Sequence, residues 1–168
     1  MKKVTFLILL LLCYSLSNYA QSNEKLKFRS FGYGFGFFST SANEGGVSGI
    51  LEIGISYNKN LFLFNYLSGS TFNLFGPPGV NVSEFSIQVG RELKASSWFS
   101  VEGYAGLGNF SQESKQNYLK QISVLSVPLR LKLICYTSKH FALISNSNIA
   151  LNSFSNNFSS NLTFQHNF

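Results

Sequence analysis

From residue 26 onward the chain keeps to one rule: a bulky apolar side chain at every second position, with a small or polar one between. Residues 30 to 37 read Ser-Phe-Gly-Tyr-Gly-Phe-Gly-Phe, and residues 125 to 133 read Leu-Ser-Val-Pro-Leu-Arg-Leu-Lys-Leu. A period of two puts successive side chains on opposite faces of a strand, so each run has one oily face and one wet face. The last run obeys the same rule. Phe154, Phe158, Leu162, Phe164 and Phe168 share one parity, while Ser155, Asn157, Ser159, Asn161 and Thr163 share the other. No long segment after residue 21 carries the 3.6-residue period of an amphipathic helix, so helical and mixed α/β classes are excluded.

Eight such segments can be marked, at residues 26–38, 47–57, 60–67, 82–93, 98–109, 119–136, 141–151 and 154–168. The third is apolar on both parities, so alternation alone does not set its register. The links between segments alternate in length. Residues 58–59, 94–97 and 137–140 are tight turns, whereas residues 39–46, 68–81 and 110–118 are longer; only the last link, near Asn152 and Ser153, fits this rule weakly. Short turns therefore share one end and long loops the other, which describes an up-and-down meander of even strand number. Closing it into a barrel removes the unpaired edges that an open sheet would leave. The 168-residue length suits one such domain.

The first twenty residues are of another kind. Lys2 and Lys3 precede an apolar run, residues 4 to 12, followed by the polar residues 15 to 20. This reads as a secretory signal peptide cut before Gln21, leaving residues 21–168 as the mature barrel domain. The apolar run is short of the roughly 20 residues a spanning helix needs. Cys13 follows Leu12, which is too large for an acylation signal. Loss of the leader leaves 11 basic and 7 acidic residues, net +4, with Cys135 as the one thiol, so no internal disulfide is expected.

Eight alternating strands fit either a soluble lipocalin-like barrel with its oily face inward or a membrane barrel with that face outward. Bulk decides between them. An eight-stranded barrel has room inside only for its own side chains. Rows such as Phe31, Tyr33, Phe35 and Phe37 would overfill it. The opposite rows hold Gly32, Gly34, Gly36, Gly54, Gly90, Gly106 and Gly108 with a few long ions, and these suit a narrow polar lumen. A strand of about 11 residues, at roughly 3.3 Å each and tilted about 40°, rises near the ~25 Å apolar band of an outer-membrane barrel. The expected class is therefore all-β, an eight-stranded antiparallel up-and-down transmembrane barrel.

The stretches at 125 to 133 and 100 to 108 (Ser-Val-Glu-Gly-Tyr-Ala-Gly-Leu-Gly), with the terminal run ending in Phe168, make the chain similar to the small bacterial outer-membrane β-barrel domain family of OmpX- and OmpA-type barrels. The likeness spans about residues 26 to 168. It implies a bacterial outer-membrane location with both mature termini periplasmic. It also implies that Leu162, Phe164 and Phe168 form the signal read by the barrel-insertion machinery, from which His166 departs. Pro128 conflicts with a strand interior, so a bulge or strand end is expected there.

The inward ions Glu52, Glu84, Glu102, Arg130 and Lys132 read as a lumenal ion-pair network, since mixed signs can pair where a lone buried charge is costly. Glu102 and Arg130, on adjacent strands, are the expected partners. The apolar residues Phe72, Leu74, Phe75, Pro77 and Pro78 of the 68–81 loop are the best candidates for contact with an extracellular protein or surface ligand. His140 and His166 lack a neighbouring acid in sequence, which argues against a lipid-trimming Ser-His-acid site. No metal-ligand spacing or phosphate loop is present, so no cofactor is expected. Lys25, Lys27, Lys59, Arg91, Lys94 and Lys139 map to the short-turn end, where they would snorkel to lipid phosphates rather than bind nucleic acid. The resulting expectation is a non-enzymatic, monomeric outer-membrane barrel with a filled lumen, acting structurally or through its long loops. A lipid-modifying barrel enzyme and a soluble periplasmic ligand-binding barrel are the alternatives.

Overall fold

The computed structural model describes residues 26–41, 44–71, 79–114 and 121–168. These form eight strands: β1 (Lys27–Thr40), β2 (Gly45–Tyr57), β3 (Asn60–Ser70), β4 (Val80–Lys94), β5 (Phe99–Ser114), β6 (Gln121–Tyr136), β7 (Phe141–Asn152) and β8 (Asn157–Asn167). Each pairs antiparallel with the next, and β8 pairs back on β1 from Ser30↔Asn167 to Thr40↔Asn157. The barrel is closed, and no strand edge is left without a partner strand.

The alternation sets which way each strand faces. Phe35 is 63% exposed, Leu51 50%, Ile87 47% and Leu129 42%, all on the outer surface, whereas Glu52 is 2% exposed inside. The strand that is apolar on both faces resolves by size. Leu61, Leu63 and Leu67 of β3 turn inward with Asn65, and the wider Phe62, Phe64 and Tyr66 turn outward. A narrow interior accepts the smaller set.

Local chemistry shapes the short-turn end. The two-residue link between β2 and β3 has Asn58 at φ 56°, a left-handed conformation that asparagine tolerates well. In the next turn, Ala95 and Ser96 both donate their backbone N–H to the Phe99 carbonyl, at 3.1 and 3.0 Å. At the opposite end, between β7 and β8, Asn152 Oδ1 accepts from the N–H groups of Phe154 (2.9 Å) and Ser155 (2.7 Å), a side chain holding a tight bend.

Two features depart from the alternation. At Pro128 there is neither bulge nor strand end. Ala105↔Leu129 and Gly108↔Ser126 keep one offset, so the β5–β6 ladder skips the two residues between without shifting, while Pro128↔Ala150 still pairs on the β7 side. Proline lacks only its N–H, and the flanking pairs hold the register. The register shift falls instead at Arg29, between Phe28↔Ile55 and Ser30↔Gly54. A bulge there lets Arg29 turn inward beside Ser30, although its parity is that of Phe31.

The lumen is layered rather than uniformly polar. Near the long-link end Phe38, Val80, Val82 and Phe110 form a buried apolar cluster. Phe110, expected in a loop, lies inside β5 because that strand runs on to Ser114. The reason is an inversion: Asn109, Ser111 and Glu113 face out while Phe110 and Gln112 face in, so the oily row ends before the strand does. Near the other end Ile134, Ala142 and Ile144 make a second apolar layer. Glycine is required where walls crowd. A Cβ on Gly36 would lie 2.0 Å from the Ser160 carbonyl oxygen, and one on Gly90 would lie 2.3 Å from the Tyr104 ring.

Candidate functional site

Between the apolar layers the inward ions meet across the barrel. Strand side chains stand roughly perpendicular to the sheet, so in a narrow cylinder their ends converge on the axis and reach the opposite wall. Glu52 on β2 is the centre of one cluster. Its Oε1 accepts from Arg130 Nη1 and from Asn146 Nδ2 (2.8 Å), and its Oε2 accepts from Lys132 Nζ at 2.5 Å. Arg130 Nη1 also donates to Asn65 Oδ1 at 3.0 Å. One carboxylate thus ties β2 to β6 and β7, and Arg130, Lys132 and Glu52 are all buried.

A second cluster lies toward the short turns. Arg29 Nη2 is 2.5 Å from Glu102 Oε1 and 3.2 Å from Glu92 Oε2, and Tyr104 donates its hydroxyl to Glu102 Oε2 at 2.6 Å. Tyr136 donates to Glu92 Oε1 at 3.1 Å. Lys132 Nζ sits 5.5 Å from the centre of the Tyr104 ring, which joins the two clusters.

These pairings correct the expectation that Glu102 partners Arg130. The β5–β6 register sets Glu102 opposite Lys132 and Tyr104 opposite Arg130, and the long side chains bridge the lumen instead of the wall. Arg29 is a member that alternation alone missed, whereas Glu92 shares the inward parity of Glu84 and was left out of the expected network. The usable clue was Arg29 itself, since an arginine in phase with Phe31 and Tyr33 would otherwise face lipid. Glu84 stands apart from both clusters, buried, with Ser126 Oγ donating to its Oε1 at 3.1 Å. The wall made by β7 and β8 is neutral, with Asn148, Asn157, Ser159 and Thr163 buried, and Asn161 Oδ1 accepting from Ser48 Oγ at 2.8 Å.

At the long-link end the outer face of β3 to β6 changes from oily to polar. Ser68 and Ser70 follow Tyr66, Asn81 and Ser83 precede Phe85, and Ser123 precedes Leu125. Ser111 Oγ donates to Ser123 Oγ (3.1 Å), which donates to Asn109 Oδ1 (2.9 Å). Phe72, Leu74, Phe75, Pro77 and Pro78 lie outside the described residues. The stems of their loop are joined, with Thr71 N–H donating to the Val80 carbonyl at 3.0 Å.

Leu162 and Phe164 face outward on β8, and at the short-turn rim Phe168 follows with its ring 4.8 Å from that of Phe28. The two histidines, distant in sequence, stack at 6.0 Å because Phe141 pairs with His166. Phe141 and Phe168 lie edge-on to His166. Nδ1 of His140 is 3.4 Å from the Asn167 carbonyl oxygen. Among the described residues no group of three His, Cys, Asp or Glu side chains is placed to hold a metal.

No family model matches the chain, and no curated protein matches it. Its fold does match solved structures. Neisserial surface protein A superposes with a TM-score of 0.70 at 11% identity, over 86% of this chain and 100% of that one. The N-terminal β-barrel domain of OprF from Pseudomonas aeruginosa gives 0.58 at 13% identity, over 86% and 100%. Ail, the attachment invasion locus protein of Yersinia pestis, gives 0.57 at 12% identity, over 84% and 99%. The chain has the fold of the small eight-stranded outer-membrane β-barrels.

Proposed function

We propose that this chain is a non-enzymatic integral protein of a bacterial outer membrane, structural or surface-interacting, with a lumen that side chains fill rather than an open pore. The observation that carries this reading is the orientation of the two rows. Phe35, Leu51, Ile87 and Leu129 face outward around the barrel, while Glu52, Arg130 and Lys132 are sealed inside and paired with one another. Lipid is the solvent that favours such an exterior, and in lipid only a closed sheet satisfies its backbone. A soluble ligand-binding barrel needs the reverse arrangement.

The lumenal ions Glu52, Glu84, Glu102, Arg130 and Lys132 act in this reading as struts between opposite walls. The apolar layers at Phe110 and Ile134 support closure at either end. The polar outer wall of β3 to β6 stands beyond the lipid on the extracellular side and carries the 68–81 loop toward an extracellular protein or surface ligand. Both mature termini then lie in the periplasm, residues 1–20 serve as a removed leader, and Leu162, Phe164 and Phe168 present the insertion signal. The protein works as a monomer. The histidine stack at the rim has no carboxylate within its described contacts, so a hydrolytic role has no support there.

Membrane fractionation followed by electrophoresis with and without boiling tests the central claim. The protein is expected in the detergent-dependent fraction, with a mobility that shifts on heating. A mature chain that stays in the aqueous fraction without detergent would overturn it. Glucose entry into vesicles carrying the protein is expected to match that of empty vesicles.

A further inference from the structure

The outer surface is not evenly bulky. A groove of about 730 Å³ runs across β4 to β8 on the lipid-facing side. Its upper bank is one register row, Val89, Ala105, Leu129, Ile149 and Phe158. Its floor follows the next row down: Arg91, Gly103, Leu131 and Ser147. Gly103 leaves open space in it, because a Cβ built there would meet nothing within 4 Å.

The floor is oblique. Arg91 lies three residues from the short-turn end of its strand, Gly103 four, Leu131 five and Ser147 six. It therefore climbs by one residue per strand, roughly 3.3 Å each, away from the rim and into the apolar band. Ala105, two residues farther from the rim on β5 and between Val89 and Leu129, continues the path of small side chains from Gly103 into that band. Arg91 stands at the end of the groove nearest the short-turn rim, Gly103 and Ala105 are its small side chains, and Leu131 rises in the floor beyond Gly103.

We propose that this groove seats one phospholipid with an anionic headgroup, its phosphate at Arg91 and one acyl chain laid over Gly103 and Ala105. Shape and charge run in the same order as in such a lipid: a positive rim, then a narrow apolar trough flanked by Val89 and Leu129. The proposal rests on the membrane reading above.

The test folds the full chain in nanodiscs of mixed phosphatidylethanolamine and phosphatidylglycerol and counts retained lipids by native mass spectrometry. The wild type is expected to keep one phosphatidylglycerol. Gly103→Leu fills the trough and should lower the retained fraction about tenfold, while Arg91→Gln should erase the preference for the anionic lipid. Both variants should keep the heat-dependent mobility shift, since residue 103 has open space and Arg91 is on the surface. A folded wild type that retains no lipid, a Gly103→Leu variant that retains as much, or retention of a second copy in place of lipid would overturn the proposal. A wild type found in the aqueous fraction would instead sink the membrane reading, and the groove's occupant with it.

Discussion

Glu52 and Arg130 sit on opposite walls of the barrel, 78 residues apart in sequence, and join within a buried lumen. Because Lys132 shares the same carboxylate, Glu52 is the sole described anion bonded to two buried cations. Removing one partner of a buried pair costs far more than the pair contributes, since the remaining charge has neither water nor counterion.

Glu52→Gln is therefore expected to destabilise the folded barrel by about 3 to 5 kcal/mol. Urea unfolding in lipid vesicles, followed by Trp98 fluorescence, measures this. Adding Lys132→Met to Glu52→Gln should recover part of the loss, because one stranded cation is removed. If the single variant unfolds at the wild-type urea concentration, the lumenal strut is not a strut.

Arg29 supplies a sharper test, because two pairings compete for Glu102. A double-mutant cycle on Arg29→Met and Glu102→Gln should give a coupling of about 1 to 3 kcal/mol, against no more than about 0.5 for Arg130→Met with Glu102→Gln. The reverse ranking would restore the adjacent-strand pairing and contradict the bulge at Arg29.

The contrast between these pairs shows what alternation can and cannot reveal. Whether Leu129 or Arg130 faces lipid depends on parity, a strictly local property, and parity reads directly from the sequence. Which carboxylate Arg130 meets depends on barrel closure and strand stagger, which are set by all eight registers at once. Arg29 escaped notice because a one-residue bulge reverses the parity of everything before it. Phe110 was misplaced because the strand runs on past the oily row under a different rule, with polar residues out and apolar residues in. The histidine stack likewise needs the β7–β8 register, since His140 sits in a turn and His166 in a strand.

Charge placed on the outer surface should reveal where lipid ends. Leu129 lies in the middle of β6 among other exposed apolar side chains, whereas Ser123 lies on the polar wall of the same strand. Leu129→Lys is expected to cost about 2 to 4 kcal/mol, the range for a lysine near the bilayer midplane, and Ser123→Lys no more than about 0.5 kcal/mol. Folding titrations in vesicles give both numbers. Equal costs at the two sites would remove the argument that the polar wall stands outside the membrane.

Phe168 separates stability from delivery. Its ring is 70% exposed and touches Phe28 at 4.8 Å, so its packing is worth about 1 kcal/mol at most. Its N–H donates to the Arg29 carbonyl at 3.0 Å, a bond that Phe168→Ser retains. The folded variant should therefore lose about 1 kcal/mol or less in vesicle unfolding. In the proposed insertion signal with Leu162 and Phe164, however, the same side chain would be read before the barrel closes. Phe168→Ser should slow assembly severalfold in proteoliposomes that contain the insertion machinery, and leave unassisted folding into detergent at the wild-type rate. Equal slowing in both settings would make Phe168 a packing residue, and no slowing in either would end its role as a signal.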